Sequence, residues 1–420
     1  MDRDITRRDS QMGVRVFAVG LYLLSLLSPV LLAPFLWLLI RELKGFLHHR
    51  HLPIRLIQAY LSYLLIAPYL ALGHEPLILL WLVITGSHYA VPGVGKLTLG
   101  ERPWDWALKN RSHYLFLAAY TWGWLAFLRV TLVERLARIV RQFAIPLQLT
   151  AIAIELGGFC LLVTDRLTVW ALFGFILLHT VVFLMSGILF WEWTMVNLGL
   201  LLTCLNTDLV DLYSPTNQLL YLLILSHVPL TRIWTPAPLS WWDSPLVGRV
   251  LWEVEGRSGR RYMLYNNFMC PWERLFGRGY GFFLLDEPVL VDHGEPSHLG
   301  HVFTLEARDR LVVSGGERNA ILSVCEKEGR NFYCPSKIEN HVKFLQAFCE
   351  ALNRGDKKRT VPSWLKAPGG QFYYWGNLPA YKRQEPVVKV LCRYREVFID
   401  GCVIKELRNQ LLCEVDVSTK

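Results

Sequence analysis

The chain reads as a polytopic α-helical membrane bundle of six to eight transmembrane helices, followed by a β-rich soluble domain with one helix. Three observations lead there. Long apolar runs crowd the first 235 residues, the composition then turns to an ordinary soluble mixture, and short strand-like segments bounded by turn residues fill the remainder. The change falls at a proline-rich exit, Trp234-Thr235-Pro236-Ala237-Pro238, which sets a transmembrane domain over 1–235 and an extramembrane domain over 236–420. Trp241 and Trp242 follow at once, as suits the headgroup interface.

The apolar runs lie near Val14–Ile40, Leu56–Leu72, Leu77–Tyr89, Tyr114–Val130, Ile145–Val163, Val169–Phe190, Trp193–Cys204 and Leu219–Val228. A helix needs about 20 residues to cross the hydrocarbon, so the shorter runs are candidates for partial insertion. The first run is too long for a signal-peptide core and has no small-residue cleavage site, so it is expected to be retained. These features predict an integral, multi-pass membrane protein, which in a bacterial cell means the inner membrane. Arg3, Arg7 and Arg8 favour a cytoplasmic start, whereas Lys44, Arg50 and Arg55 crowd the first loop on the opposite side, so orientation stays open. The net charge of +9 suits anionic lipid headgroups. No nucleic-acid motif accompanies it.

Between two of the runs, Leu132 to Arg141 alternates apolar and basic residues at three- and four-residue steps. It reads either as a short helix on the membrane surface or as an arginine-rich helix end. In the second half, Val250–Glu255 and Arg261–Tyr265 flank Gly256-Arg257-Ser258-Gly259 as a hairpin, and His301–Glu306 and Leu311–Val313 flank an Arg308-Asp309 turn. A helix is expected over Pro335–Leu352, where Ile338, Val342, Leu345 and Phe348 recur at helical spacing and Gly355 stands just past the end. A turn-rich stretch around Pro362–Pro386 leads to a strand over Val387–Ile399, closed by Asp400-Gly401.

Seven of the nine cysteines lie in the second half without any Cys-x-x-Cys, so no zinc or thioredoxin-like motif is indicated. They are buried thiols in a reducing compartment, or up to three disulfides in an oxidising one. The patch Asp286, Glu287, Asp292, His293, Glu295, His298 and His301 reads by default as a polar loop, with a metal site as the less favoured alternative, and no metal ligand is assigned.

Three ionisable residues inside or beside the apolar runs carry the functional signal: Lys96, Glu155 and His179. An unpaired charge at the bilayer centre costs about 2.5–3.5 kcal/mol on insertion scales, so such residues mark sites or ties. Lys96 sits behind a Pro-Gly break and is either an anchor to the headgroups or a buried base.

The stretch His88-Tyr89-Ala90-Val91-Pro92-Gly93-Val94-Gly95-Lys96-Leu97, followed by Trp104, resembles the vitamin K-dependent γ-glutamyl carboxylase family, with its aromatic-x-x-x-Gly-x-x-Lys-Leu at the end of a membrane helix. Leu178-His179-Thr180 through Gly187-Ile188-Leu189-Phe190-Trp191 and Met195 resembles that family's histidine-containing helix. Glu155-Leu156-Gly157-Gly158 stands where relatives place an acid followed by small residues. The resemblance covers residues 15–230 loosely and three short motifs well, and it is best described as membership of the wider HTTM (horizontally transferred transmembrane) group. It implies that Lys96 is the base that deprotonates a reduced quinone, with Glu155 and His179 shaping the proton path and Tyr89, Trp104 and Trp191 lining a cofactor pocket. This chain carries Gly95-Lys96 where carboxylases carry Lys-Lys, and it lacks an Asn-His-Ser-Tyr-Leu-like stretch before residue 87. These departures argue against full glutamate carboxylation.

Two functions of different class follow. One is a membrane enzyme acting on a quinol-like or lipid substrate. The other is a non-catalytic membrane scaffold for maturation or export of a secreted peptide, in which the three residues tie helices together. A pocket beside Lys96 would favour the enzyme. Lys96 packed against Glu155 in a closed bundle would favour the scaffold.

Overall fold

In a computed structural model the described residues are 12–25, 51–70, 73–206, 210–231, 238–264, 281–292, 300–355 and 381–417, with isolated positions between them. The first part is helical: α1 Met12–Ser25, α2 His51–Leu70, α3 Glu75–Thr98, α4 Asp105–Lys109, α5 His113–Thr121, α6 Val130–Gln142, α7 Ala144–Leu156, α8 Asp165–Ser186, α9 Trp191–Asn206 and α10 Pro215–Thr231. Local chemistry sets several boundaries. Thr164 caps α8 by accepting from the Leu167 amide at 3.1 Å, and Gly187, at φ +69°, ends it in the left-handed conformation.

The expectation of six to eight membrane helices is overturned. Among the described residues, α3 and α8 are long and apolar enough to cross a membrane, and a third span arises only if the bent pair Val130–Gln142 and Ala144–Phe159, 66° apart, counts as one. The other runs fail for separate reasons. Tyr114–Val130 yields only the nine-residue α5, because the chain turns through left-handed Gly123 and Leu125. Its Phe116, Leu117, Ala118 and Ala119 are apolar because they pack into a core shared with the sheet of the second half. The runs Trp193–Cys204 and Leu219–Val228 lie in helices of 16 and 17 residues, about 24 and 26 Å long, short of a hydrocarbon core of about 30 Å. In α2, Arg55, Gln58 and Ser62 dilute the apolar pattern. Eleven of the 27 residues of the run Val14–Ile40, all of them after Ser25, lie outside the described residues. Two candidate spans allow membrane association.

The second part holds β1 Trp242–Asp243, β2 Leu246–Gly256, β3 Arg261–Met263, β4 Val289–Asp292, β5 Glu295–Pro296, β6 His301–Val302, α11 Leu305–Ser314, α12 Arg318–Glu328, β7 Gly329–Arg330, α13 Pro335–Asn353, β8 Val387–Asp400 and β9 Val403–Asp416. The main sheet is antiparallel in the order β3-β2-β8-β9. Its hairpin over 256–260, the turn at Asp400-Gly401 and the helix α13 follow the expected pattern, with Gly259, Gly401 and Gly355 each at positive φ. The expectation of a single helix is corrected. The segment read as a strand–turn–strand about Arg308-Asp309 is α11, capped by Thr304 on the Ala307 amide and ended by left-handed Gly315, and α12 follows it. Both helices have buried residues at three- and four-residue steps, Ala307 with Leu311 and Ile321 with Val324 and Cys325, and those short amphipathic patterns mimic alternation over a few residues.

The two parts share their interior. Trp122, Val133 and Ala137 pack in one cluster with Val397, Ile399 and Cys402, and Trp106 and Ile152 pack in another with Trp242, Leu246 and Val302. A third cluster, drawn from α2, α3, α8, α9 and α10, lies wholly within the helical part. The described cysteines are free thiols, with Cys325, Cys349, Cys392 and Cys402 buried. Cys270 lies outside the described residues.

Candidate functional site

Helix α3 presents Gly86 and Gly93 to the end of α7 and the 3-10 turn Gly157–Phe159 that follows it. A Cβ at Gly93 would meet Glu155 Cβ and the Leu156 amide nitrogen, each at 3.2 Å, and one at Gly86 would meet the Gly158 carbonyl at 2.8 Å. This close approach brings Glu155 to Lys96. The Lys96 Nζ donates to Glu155 Oε1 at 2.7 Å, to Oε2 at 2.8 Å and to the Leu239 carbonyl at 3.2 Å. Both side chains are buried. An ammonium has three N–H donors, and here three acceptors meet them. Trp106 covers the group, with Nζ 5.3 Å from the ring centroid. Leu239 holds φ +44°, a left-handed conformation unusual for a bulky side chain, at the point where its carbonyl accepts from Lys96.

His179 belongs to a different cluster. Tyr89 is stacked on Phe175 at 3.6 Å with the rings 2° apart, and its hydroxyl lies 2.6 Å from His179 Nε2 and 2.5 Å from Asn197 Nδ2. Because Asn197 donates, the tyrosine O–H is free to donate to Nε2. His179 Nδ1 and Asn197 Oδ1 are then left buried without a hydrogen-bond partner. Tyr89 and Lys96 are seven residues apart on one helix, about 10 Å along its axis. Lys96, Glu155 and His179 are therefore brought together as one pair and one outlier.

The aromatic candidates divide too. Tyr89 is buried in the His179 cluster, whereas Trp104 is 53% exposed and its neighbour Trp106 takes the place beside Lys96. Trp191 is half-buried, and Trp193, two residues on, packs edge-on against Tyr89 and His179 at 5.6 and 5.5 Å.

A third group takes His301 out of the patch that reads as a polar loop and joins it to two residues the sequence did not mark, Asn110 and Asp243. Asp243 is buried, and Asn110 exchanges two hydrogen bonds with it: Nδ2 donates to Asp243 Oδ2 and Oδ1 accepts from the Asp243 amide, both at 2.9 Å. His301 Nε2 lies 3.7 Å from Asp243 Oδ1, and its ring stacks on Trp241 at 4.2 Å. Burial pushes the Asp243 carboxyl up, while His301, then Asn110, and more remotely Lys96, pull it back. Trp106 Nε1 donates to the Trp241 carbonyl at 2.8 Å, which joins this group to the lysine. Asn197 could have been found as a polar residue in an apolar run, the signal that marked Glu155. The Asn110–Asp243 pairing spans 133 positions and leaves no local trace.

No family model, curated protein or solved structure matches the chain. The geometry alone carries the functional reading. The Lys96 Nζ is occupied on three sides, by both carboxylate oxygens of Glu155 and by the Leu239 carbonyl. Among the described residues, no group of three or more His, Cys, Asp or Glu is set to hold a metal ion.

Proposed function

We propose that this chain is a membrane-associated scaffold, anchored through α3 and α8, whose buried polar groups lock the β-rich part against the helices so that it can receive a protein or peptide partner. The three satisfied donors of Lys96 carry this reading. They join α3 to α7 through Glu155 and to the connecting segment through Leu239. Structural ties of this sort are a common fate of polar residues in helical bundles. The resemblance of three motifs to the HTTM group is compatible with it, and a secreted peptide is the partner class that resemblance suggests.

A second reading, a lysine-base enzyme on a quinol-like or lipid substrate, draws on one observation. His179 Nδ1 and Asn197 Oδ1 form an unsatisfied donor–acceptor pair inside an aromatic cage. That reading requires Lys96 to give up Glu155 when substrate arrives. The test is consumption of a reduced quinone under oxygen by the reconstituted wild-type protein and by Lys96→Ala. The scaffold reading expects no turnover from either protein above empty vesicles. Turnover by wild type that is lost in a folded Lys96→Ala variant would overturn it.

A further inference from the structure

Helix α6 has three distinct faces. Val133 and Ala137 are fully buried in the core shared with β8 and α5. On an adjoining side, Glu134 Oε1 accepts from the Ile404 amide at 3.4 Å, which seats the β8–β9 hairpin against the helix. The remaining surface is exposed. Leu132 and Ile139 fall on one line seven residues apart, which Phe143 at the C-terminal cap prolongs by a four-residue step, with the exposed Arg135 and Arg138 along one edge. Phe127, in the turn that precedes the helix, is 82% exposed.

An apolar stripe edged by arginines on a helix is the pattern that lies in a headgroup layer: the stripe enters the acyl boundary and the guanidinium groups stay with the phosphates. The elements that follow α6 in the chain expose apolar side chains as well. Ile145, Leu147 and Leu149 of α7 are exposed just beyond the 66° bend, and α8, a candidate span, exposes Trp170, Phe173, Leu177 and Leu184. One face of a soluble protein partner does not account for apolar exposure on three successive elements, one of them a candidate span. A lipid leaflet does.

We propose that α6 is an adaptor helix that binds the surface of an anionic phospholipid leaflet and so seats the β-rich part directly on that leaflet. Its outward stripe meets lipid, its arginines meet phosphate, and its inner face holds the sheet. This goes beyond the scaffold reading and does not depend on it, because it concerns where the sheet sits and not what it receives.

The full chain, with a photoreactive benzoylphenylalanine at Ile139, is reconstituted in phosphatidylcholine vesicles with a minor share of phosphatidylglycerol, and the crosslinked species are identified by mass. The expected result is lipid adducts enriched several-fold in phosphatidylglycerol over its bulk share. That enrichment should fade as salt is raised and vanish in an Arg135→Glu, Arg138→Glu background. Both arginines are exposed, so folding is expected to survive the exchange, and the salt series on the wild-type background stands alone if it does not. Adducts that follow the bulk lipid composition, or that join two protein chains, would overturn the proposal.

Discussion

Arg249 shows how far a single side chain can depart from the usual rules. It is 2% exposed on β2, opposite Arg395 of β8, and its Nε and Nη1 have no hydrogen-bond partner. Burial, aided by Arg395 and opposed by Glu406, pulls the guanidinium down to about 9. The folded value lies below the unfolded one, so the unfolded chain binds more protons between the two. Stability therefore rises with pH from about 9 upwards, and the full penalty is present at neutral pH. Arg249→Met should raise the unfolding midpoint at pH 7, by the equivalent of about 1–4 kcal/mol. Its advantage over wild type should shrink at pH 10. An unchanged or lowered midpoint at pH 7 would mean that the guanidinium has a role the fold requires.

At the scale of elements, the crossing of α3 with the 3-10 turn after α7 depends on small residues. A Cβ at Gly158 would collide with the Gly86 carbonyl and approach the Ala90 amide nitrogen at 2.9 Å, and the Tyr221 hydroxyl donates to the Gly158 carbonyl. Gly158→Ala should destabilise the protein by about 1–3 kcal/mol through overpacking and loosen the Lys96–Glu155 pair. Thermal unfolding in detergent, with Gly199→Ala as a control at a site where a Cβ meets nothing within 4 Å, measures this. The sequence made the acid followed by glycines visible, and it made α13, the 256–260 hairpin and β8 visible through periodicity and turn residues. It misled where an apolar run served a different burial. The residues of α5 are apolar because they meet the sheet, and composition does not record which partner covers a face. The same limit applies to Trp104, the tryptophan that the motif points to: the chain continues into α4, and it is Trp106 that meets Lys96.

At the scale of the whole molecule, two polar junctions hold the helical and β-rich parts in one arrangement. Asn110 clasps Asp243 on one side, and Lys96 links α3, α7 and Leu239 on the other. Neither junction was legible as such, because each joins residues far apart in the chain. Lys96 was visible as a candidate, but the choice between base and tie depends on its acceptors, and those come from folding. A buried pair whose role is structural should tolerate joint replacement by apolar residues, whereas loss of one member leaves an uncompensated charge costing about 3–5 kcal/mol.

The most direct measurement is a double-mutant cycle on Lys96→Met and Glu155→Leu, read as unfolding midpoints of the full chain in one detergent. Each single variant should fall well below wild type, and the double variant should recover most of the loss. Additive losses in the double variant, or a Lys96→Met variant as stable as wild type, would contradict a structural tie.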